Sequence, residues 1–458
     1  MQNMLNNYNK INDICNFIMH NILPIFVIFI LILLYGDWKK KYTKKENQLK
    51  TDPPKNAFGV IFGKKGGKVI YSPINSEGHI AVFGGSGLGK TTALLIPTLK
   101  SWKGTSFTID ISGDICKNVD IPKKMIYEPA NSKSTPYNIF GTVDKLKSKE
   151  DKNEALEGLA YLFMPDDDKM ADTAKFFNEE GRKILTASLI AFYHEGLDFI
   201  EICEKVVGSS WKDLFNAIDE TECSKAKQYI NSFAGTSEQN TAGCKQSCDK
   251  VLKLFGTTES IKRTIRRPRG KERCFTPSKL EKWNVFIVID DSKLKLYAPL
   301  LHIITAQSME FFSERANDAK KTILFCLDEF ASLGKMEITE ALRKLRKKHV
   351  RIMMLTQSMA DVDLIYGRDE RMAMMNNYKF KVVLGADDTD TQEYFAKLIG
   401  YKKTKKQSIS QNAKSTTRTE SEDKEWAVEP AELARLHPNL VLLHPDGYLK
   451  LKKNYYYK

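Results

Sequence analysis

The stretch Gly84 to Thr91, GGSGLGKT, constrains this chain more than any other. It fits the phosphate-loop pattern G-x-x-x-x-G-K-[ST]. His79-Ile80-Ala81-Val82-Phe83 before it reads as a short buried strand, and Thr92 to Ile96 after it reads as a helix ending at Pro97. Strand, glycine-rich turn and helix form the setting in which the pattern becomes a site. Its glycines let the backbone N–H groups of Gly84, Gly85, Ser86, Gly87, Leu88, Gly89, Lys90, Thr91 and Thr92 close round phosphate oxygens, and the helix N-terminus adds its positive end. Lys90 is placed to reach the outer phosphates, and the Thr91 hydroxyl to ligate Mg²⁺.

A loop of this kind needs an acid delivered by a second buried strand. Thr322 to Leu327 is an apolar run that ends in Asp328-Glu329. This assigns Asp328 to the metal, through water, and Glu329 to the attacking water as general base. Val350 to Thr356 is a further apolar strand, and it ends at Gln357. The same geometry puts Gln357 at the carboxyl edge of the sheet, near the nucleotide. Short strands at Thr105–Ile109 (before Asp110), Met125–Tyr127, Val285–Ile289 and Phe380–Leu384 alternate with helical stretches, which predicts a parallel sheet covered on both faces. A hairpin is expected over Phe58–Tyr71, and another at the end around Pro445-Asp446-Gly447.

Between Val143 and Ile261 the strand signal disappears. Leu156–Phe163, Phe176–Tyr193, Trp211–Ile218 and Cys244–Phe255 carry apolar residues at helical spacing. The expected organisation is therefore an α/β nucleotide-binding domain in two parts, residues 51–142 and 262–458, with an all-α insert at 143–261. Residues Tyr401–Lys424 are polar and Ser/Thr-rich, and read as a mobile surface loop.

The chain begins with a different texture. Residues Ile14–Tyr35 are mostly apolar, and 22 residues at about 1.5 Å each span the roughly 30 Å hydrocarbon core. Trp38-Lys39-Lys40-Lys41 follows, with Lys44 and Lys45. The expectation is a membrane anchor in residues 1–50, crossing the membrane once with the bulk of the chain cytoplasmic. A signal peptide is the weaker reading, since neither a charged start nor a small-residue cleavage site is visible. The eight cysteines show no disulfide framework, and Cys244-x-x-x-Cys248 has no second pair nearby to complete a zinc site. The formal net charge of +14 points to a polyanionic partner, with basic runs at Lys262–Arg273 and Arg343–Arg351.

These residues resemble a known family, the type IV secretion coupling proteins, the TraG/TraD-like ATPases of bacterial conjugation. The resemblance is carried by GGSGLGKT, by Leu327–Lys335 (LDEFASLGK), by Leu355–Met359 (LTQSM), by Asn376-Asn377 and Lys381–Gly400, and by Val428–Leu436 and Asn454-Tyr455-Tyr456. It runs from about Gly78 to the C-terminus and is weakest in the helical insert. It implies a RecA-like P-loop NTPase domain with an all-α insert, bound to ATP and Mg²⁺ and assembled as a membrane-anchored homo-hexamer. It further implies an ATPase that pumps single-stranded DNA, as a relaxase–DNA complex, to the subunits of a type IV secretion channel. Two other readings stay open: an ATPase for protein effectors, and a nucleotide-regulated membrane recruitment scaffold. Where the family often has Lys-Gly-Glu after the strand at Asp110, this chain has Ser112-Gly113-Asp114. Ring ATPases of this type complete their site with a neighbour's arginine. Arg343, Arg346 and Arg351 are candidates. Arg346 stands eleven residues before Gln357, where an arginine tends to stand in the family, and is the choice.

Overall fold

The computed structural model describes residues 28–35, 49–166, 170–412 and 415–457, the side chains of 405–423 excepted. The chain divides into two units, Met1–Lys50 and Thr51–Lys458. In the first, residues 28–35 are helical, and Phe29, Leu31 and Ile32 are exposed. The rest of the expected span, residues 14–27, and the lysine cluster after it lie outside the described residues. Among the described residues no helix is long and apolar enough to cross a membrane.

In chain order the strands are β1 (Lys50–Asp52), β2 (Gly59–Lys65), β3 (Lys68–Pro73), β4 (His79–Phe83), β5 (Thr105–Ile111), β6 (Lys124–Tyr127), β7 (Asn284–Ile289), β8 (Ile323–Leu327), β9 (Val350–Thr356), β10 (Tyr378–Val383), β11 (Tyr401–Asn412), β12 (Ser415–Trp426), β13 (Asn439–His444) and β14 (Gly447–Lys452). Among the described residues, twelve form one sheet in the order β1-β3-β2-β14-β13-β10-β4-β9-β8-β5-β7-β6. Its run from β10 to β6 is parallel throughout. The expected hairpins, β2–β3 and β13–β14, join it as an antiparallel wing. Strands β4, β8 and β9 are buried along their whole length, as continuous apolar runs in a sheet covered on both faces must be.

The stretch between β6 and β7 is helical, as its periodicity requires: Lys149–Phe163, Asp172–His194, Phe199–Gly208, Trp211–Asp219, Ser224–Asn231, Glu238–Thr257 and Glu259–Thr264. Capping side chains start several of these helices; Ser148, Ser210 and Ser237 each accept from a backbone N–H of the first turn. The segment is not a separate body. Its buried residues, Phe163, Phe199 and Phe255 among them, belong to one apolar core with Phe107, Phe275 and Phe325 of the sheet region.

Two expectations need correction. The helix after the phosphate loop does not end at Pro97. Lys90–Leu95 forms a wide, π-type turn, and Ile96–Ser101 continues from it as α-helix. Pro97 falls in the first turn of that second segment, where its missing N–H costs nothing. The helix is then held to β2: Ile61 N–H donates to Thr98 Oγ1 at 3.1 Å, and Ser101 Oγ–H to Gly59 O at 2.6 Å. The polar stretch from Tyr401 is not a loop but the antiparallel hairpin β11–β12. Its base is fixed by stacking of Tyr401 on Trp426 at 4.3 Å, and Lys402 pairs with Glu425 across the ladder. The sequence of this ribbon is polar and shows no apolar alternation, so periodicity did not reveal it.

Two buried polar side chains tie β9 into place. His79 donates from Nε2 to Leu342 O at 2.8 Å, and its Nδ1 accepts from Ile352 N–H at 2.9 Å. Burial pulls its pKa down to about 4, so the ring is neutral. Arg351 is 2% exposed and donates to Gly78 O, Pro73 O and Ser72 Oγ at 3.0–3.2 Å. Burial pulls its guanidinium down to about 9, so it keeps its charge at neutral pH. Arg351→Ala leaves these acceptors unpaired around a cavity and is expected to cost about 3 kcal/mol of stability. Urea unfolding checks this, and a loss below about 1 kcal/mol would be the outcome of an ordinary surface site.

Candidate functional site

The order β4-β9-β8 brings three strand ends side by side. All three strands are parallel, so Gly84 after β4, Gln357 after β9 and Asp328-Glu329 after β8 emerge on one edge of the sheet. The loop is locked to this edge: Gly84 N–H donates to Thr356 O at 3.2 Å. Gly87 and Gly89 take φ of 73° and 97°, which side chains rarely adopt, and Ala93 N–H bonds back to Gly89 O at 2.8 Å.

Lys90 is buried under the loop. Its Nζ donates to Gly84 O at 2.8 Å and lies 3.4 Å from Glu329 Oε1. Gln357 Nε2 donates to the other carboxylate oxygen, Glu329 Oε2, at 3.3 Å. Glu329 reaches both because its backbone turns into the left-handed region, φ 46° and ψ 48°, directly after the strand. A non-glycine residue held there is strained, and such strain concentrates at functional positions. A cleft of about 210 Å³ opens beside these groups, lined by Glu329, Ser332, Thr356, Gln357 and Asp361 among others.

Asp328 stays inside. Burial and the neighbouring Glu329 charge push its carboxyl up to about 7, against the pull of Lys90 and the Glu329 N–H donated at 3.2 Å. A carboxylate in that position lacks positive charge. A divalent cation between it and Thr91 would supply it. Among the described residues no cluster of three or more His, Cys, Asp or Glu could hold a metal.

Several residues at the site carried no assigned role in the sequence. Leu384 N–H donates to Phe83 O at 2.8 Å, and the turn after β10 therefore runs along the loop. Asp387 Oδ2 lies 2.5 Å from where a Cβ on Gly85 would sit, and Leu88 Cδ1 2.6 Å from one on Gly385. The C-terminal segment also arrives here: Tyr455 borders Gly89, and Tyr456 N–H donates to Thr92 O at 3.1 Å. Their stretches carry part of the family resemblance, but strand order and chain return are what bring them to the loop.

The arginines separate. Arg351 is the buried brace described above, which removes it as a candidate to reach a neighbour's site. Arg343 and Arg346 are exposed. Arg346 precedes β9, whose seven residues at about 3.3 Å each put it roughly 23 Å from the loop of its own chain. Much of the other basic run is paired internally. Lys262 meets Glu204 and Glu259, Arg266 bonds both oxygens of Glu272, and Arg267 meets Asp144. Those three charges fasten neighbouring segments to one another, while Arg269, Lys271 and Arg273 are exposed.

A profile of the type IV secretory system conjugative DNA transfer family matches residues 35–458. The chain belongs to that family. Protein VirD4 of Rhizobium radiobacter is 23% identical over 430 residues, 87% of this chain and 60% of that protein. Protein VirD4 of Agrobacterium fabrum is 22% identical over 447 residues, 91% and 63%. The chain thus spans about three fifths of the length of these relatives. Among solved structures, the bacterial conjugative coupling protein TrwB matches with a TM-score of 0.69 at 19% identity, over 90% of each chain. TrwB in complex with ADP and Mg²⁺ matches at 0.67, with 20% identity over 90% and 92%. The fold, a mixed α/β structure on a large parallel sheet, is that of TrwB.

The raised Asp328 pKa has a measurable consequence. Between its ordinary pKa near 4 and its folded value near 7, the folded state holds a proton that the unfolded chain has released. Stability of the metal-free protein should therefore fall as pH rises through this window. Asp328→Asn removes the charge and is expected to flatten that slope and raise the melting temperature at pH 8. Melts from pH 4 to 8 without Mg²⁺ check it; an unchanged slope would place the effect elsewhere.

Proposed function

We propose that this chain is the ATPase of a type IV secretion or conjugation system, binding ATP with Mg²⁺ and using its hydrolysis to move single-stranded DNA, with its relaxase, to the secretion channel. The observation that supports this best is the convergence of Lys90, Glu329 and Gln357 under a phosphate loop beside buried Asp328. Family membership supplies the transport context, and the TrwB complex with ADP and Mg²⁺ the nucleotide.

In this reading Lys90 leaves Glu329 for the outer phosphates. Thr91 and Asp328 would hold Mg²⁺, which would neutralise phosphate charge. Glu329, released, orients water and takes its proton, with Gln357 fixing the second carboxylate oxygen. Arg346, too far from its own loop, serves the next subunit of a ring and neutralises charge developing there. Residues 14–35 anchor the chain in the cell membrane with the motor inside the cell. Retention in carbonate-washed membranes tests that part, and release into the supernatant would contradict it.

DNA-dependent turnover tests the function. Lys90→Ala should lose nucleotide binding or turnover. Glu329→Gln should still bind ATP but hydrolyse it about a hundredfold more slowly. Stimulation of the parent protein by single-stranded DNA supports DNA transport. Turnover that DNA does not change favours protein effectors, and none at all favours a scaffold. In the same assay Arg346→Ala should lose about a thousandfold in turnover with DNA binding nearly intact. Mixing it with Lys90→Ala subunits should restore activity, since each supplies the half-site the other lacks. Loss of DNA affinity without such rescue would move Arg346 to the DNA path.

A further inference from the structure

A cleft of about 380 Å³ lies beside the C-terminal segment. Its lining includes Lys64, Gly66, Gly67, Lys452, Lys453 and Tyr455. Gly66 and Gly67 turn the β2–β3 hairpin at positive φ, and Lys452 ends β14 opposite Lys64. The volume is in the range of small-molecule sites.

Tyr455 belongs both to this cleft and to the phosphate loop. Its ring edge lies 3.3 Å from where a Cβ on Gly89 would start. The neighbouring residue fixes the segment against the helix after the loop. Tyr456, next along, is bonded to Thr92 O, and the Lys100 ammonium sits 4.7 Å from the Tyr456 ring centre. The cleft therefore starts one aromatic ring away from the residue before Lys90.

Lys453 provides a second, independent observation. The residue is 4% exposed, and among the described residues its Nζ has no hydrogen-bond partner. Burial pulls the amine down to about 8. Buried polar groups are almost always satisfied, so an orphaned donor in a cleft wall points to an acceptor that arrives from outside the chain.

We infer that this cleft receives the base and ribose of the nucleotide whose phosphates the Gly84–Thr91 loop holds, with Tyr455 as the flat wall against the base and Lys453 Nζ as a donor to the nucleoside. The inference rests on the nucleotide reading above and adds the residues that recognise the nucleoside end. An aromatic face suits any purine, and a single amine donor finds an acceptor on either adenine or guanine, so the subsite strengthens binding without choosing sharply between them.

Binding of Mg-ATP and of Mg-tripolyphosphate to the full chain, measured by calorimetry, separates the nucleoside end from the phosphates. Tyr455→Ala and Lys453→Met should each weaken ATP about tenfold or more and change tripolyphosphate less than about twofold. Tyr455→Phe, which keeps the ring, should bind ATP within about twofold of the parent. Equal losses for both ligands would overturn the inference, because Tyr455 and Lys453 would then only shape the loop. Unchanged ATP affinity in both variants would overturn it too. Weakening of tripolyphosphate alone would make the cleft a separate anion site and overturn it as well. A parent protein that binds neither ligand would instead refute the nucleotide reading itself, and the subsite with it.

Discussion

The structure depends on the pairing of β9 between β4 and β8. Each of these strands is too short and too apolar to exist outside the sheet, and parallel pairing forces their carboxyl ends to one edge. Phosphate loop, acids and glutamine are far apart in the chain and close in space for that reason alone. The opposite end of β9 is correspondingly overbuilt. Neutral His79 and charged Arg351 bond across it to backbone carbonyls, which fixes the register that the site edge inherits. A slip of β9 by one residue would bury Gln357 and break Gly84 from Thr356 together.

Charge at that edge is unbalanced without a ligand. Lys90 bonds a carbonyl of its own loop and pairs with Glu329, the group the proposed chemistry needs elsewhere. Asp328 is held half-protonated near neutral pH by burial. In the proposed reading a nucleotide with its metal would resolve both: phosphates would take the ammonium, and the cation the carboxylate. The strained turn at Glu329 then has a physical sense, since it keeps that carboxylate partly exposed while its neighbour stays buried.

How much of this could be read from the residues follows from how local each signal is. The loop, its strand and the Asp328-Glu329 strand end were legible because motif and flanks lie within a few residues of one another. Helical periodicity likewise marked the stretch from Leu156 to Phe255. What was lost was non-local. Pro97 stops an ordinary helix, yet a wide turn from Lys90 to Leu95 shifts it into a permitted position. Nor does the run at Lys262–Arg273 show in sequence that Lys262, Arg266 and Arg267 pair with Glu204, Glu259, Glu272 and Asp144. Arg351 looked like its neighbours Arg343 and Arg346. Only the strand geometry shows one of the three to be buried and the other two at the surface.

The last lesson concerns the chain's end. Strands β13 and β14 were visible as a hairpin, and their pairing with β10 and β2 joins the antiparallel wing to the parallel sheet. That placement returns Lys453–Tyr457 across the wing to the helix after the phosphate loop. The Tyr456–Thr92 bond and the Tyr455 contact at Gly89 make the segment part of the loop's wall. A phosphate loop is specified by a local pattern, but the walls around what it binds are supplied by whatever the topology brings back. In this chain the returning element is its last few residues, which is why they pack on a site that lies more than three hundred and fifty residues earlier in the sequence.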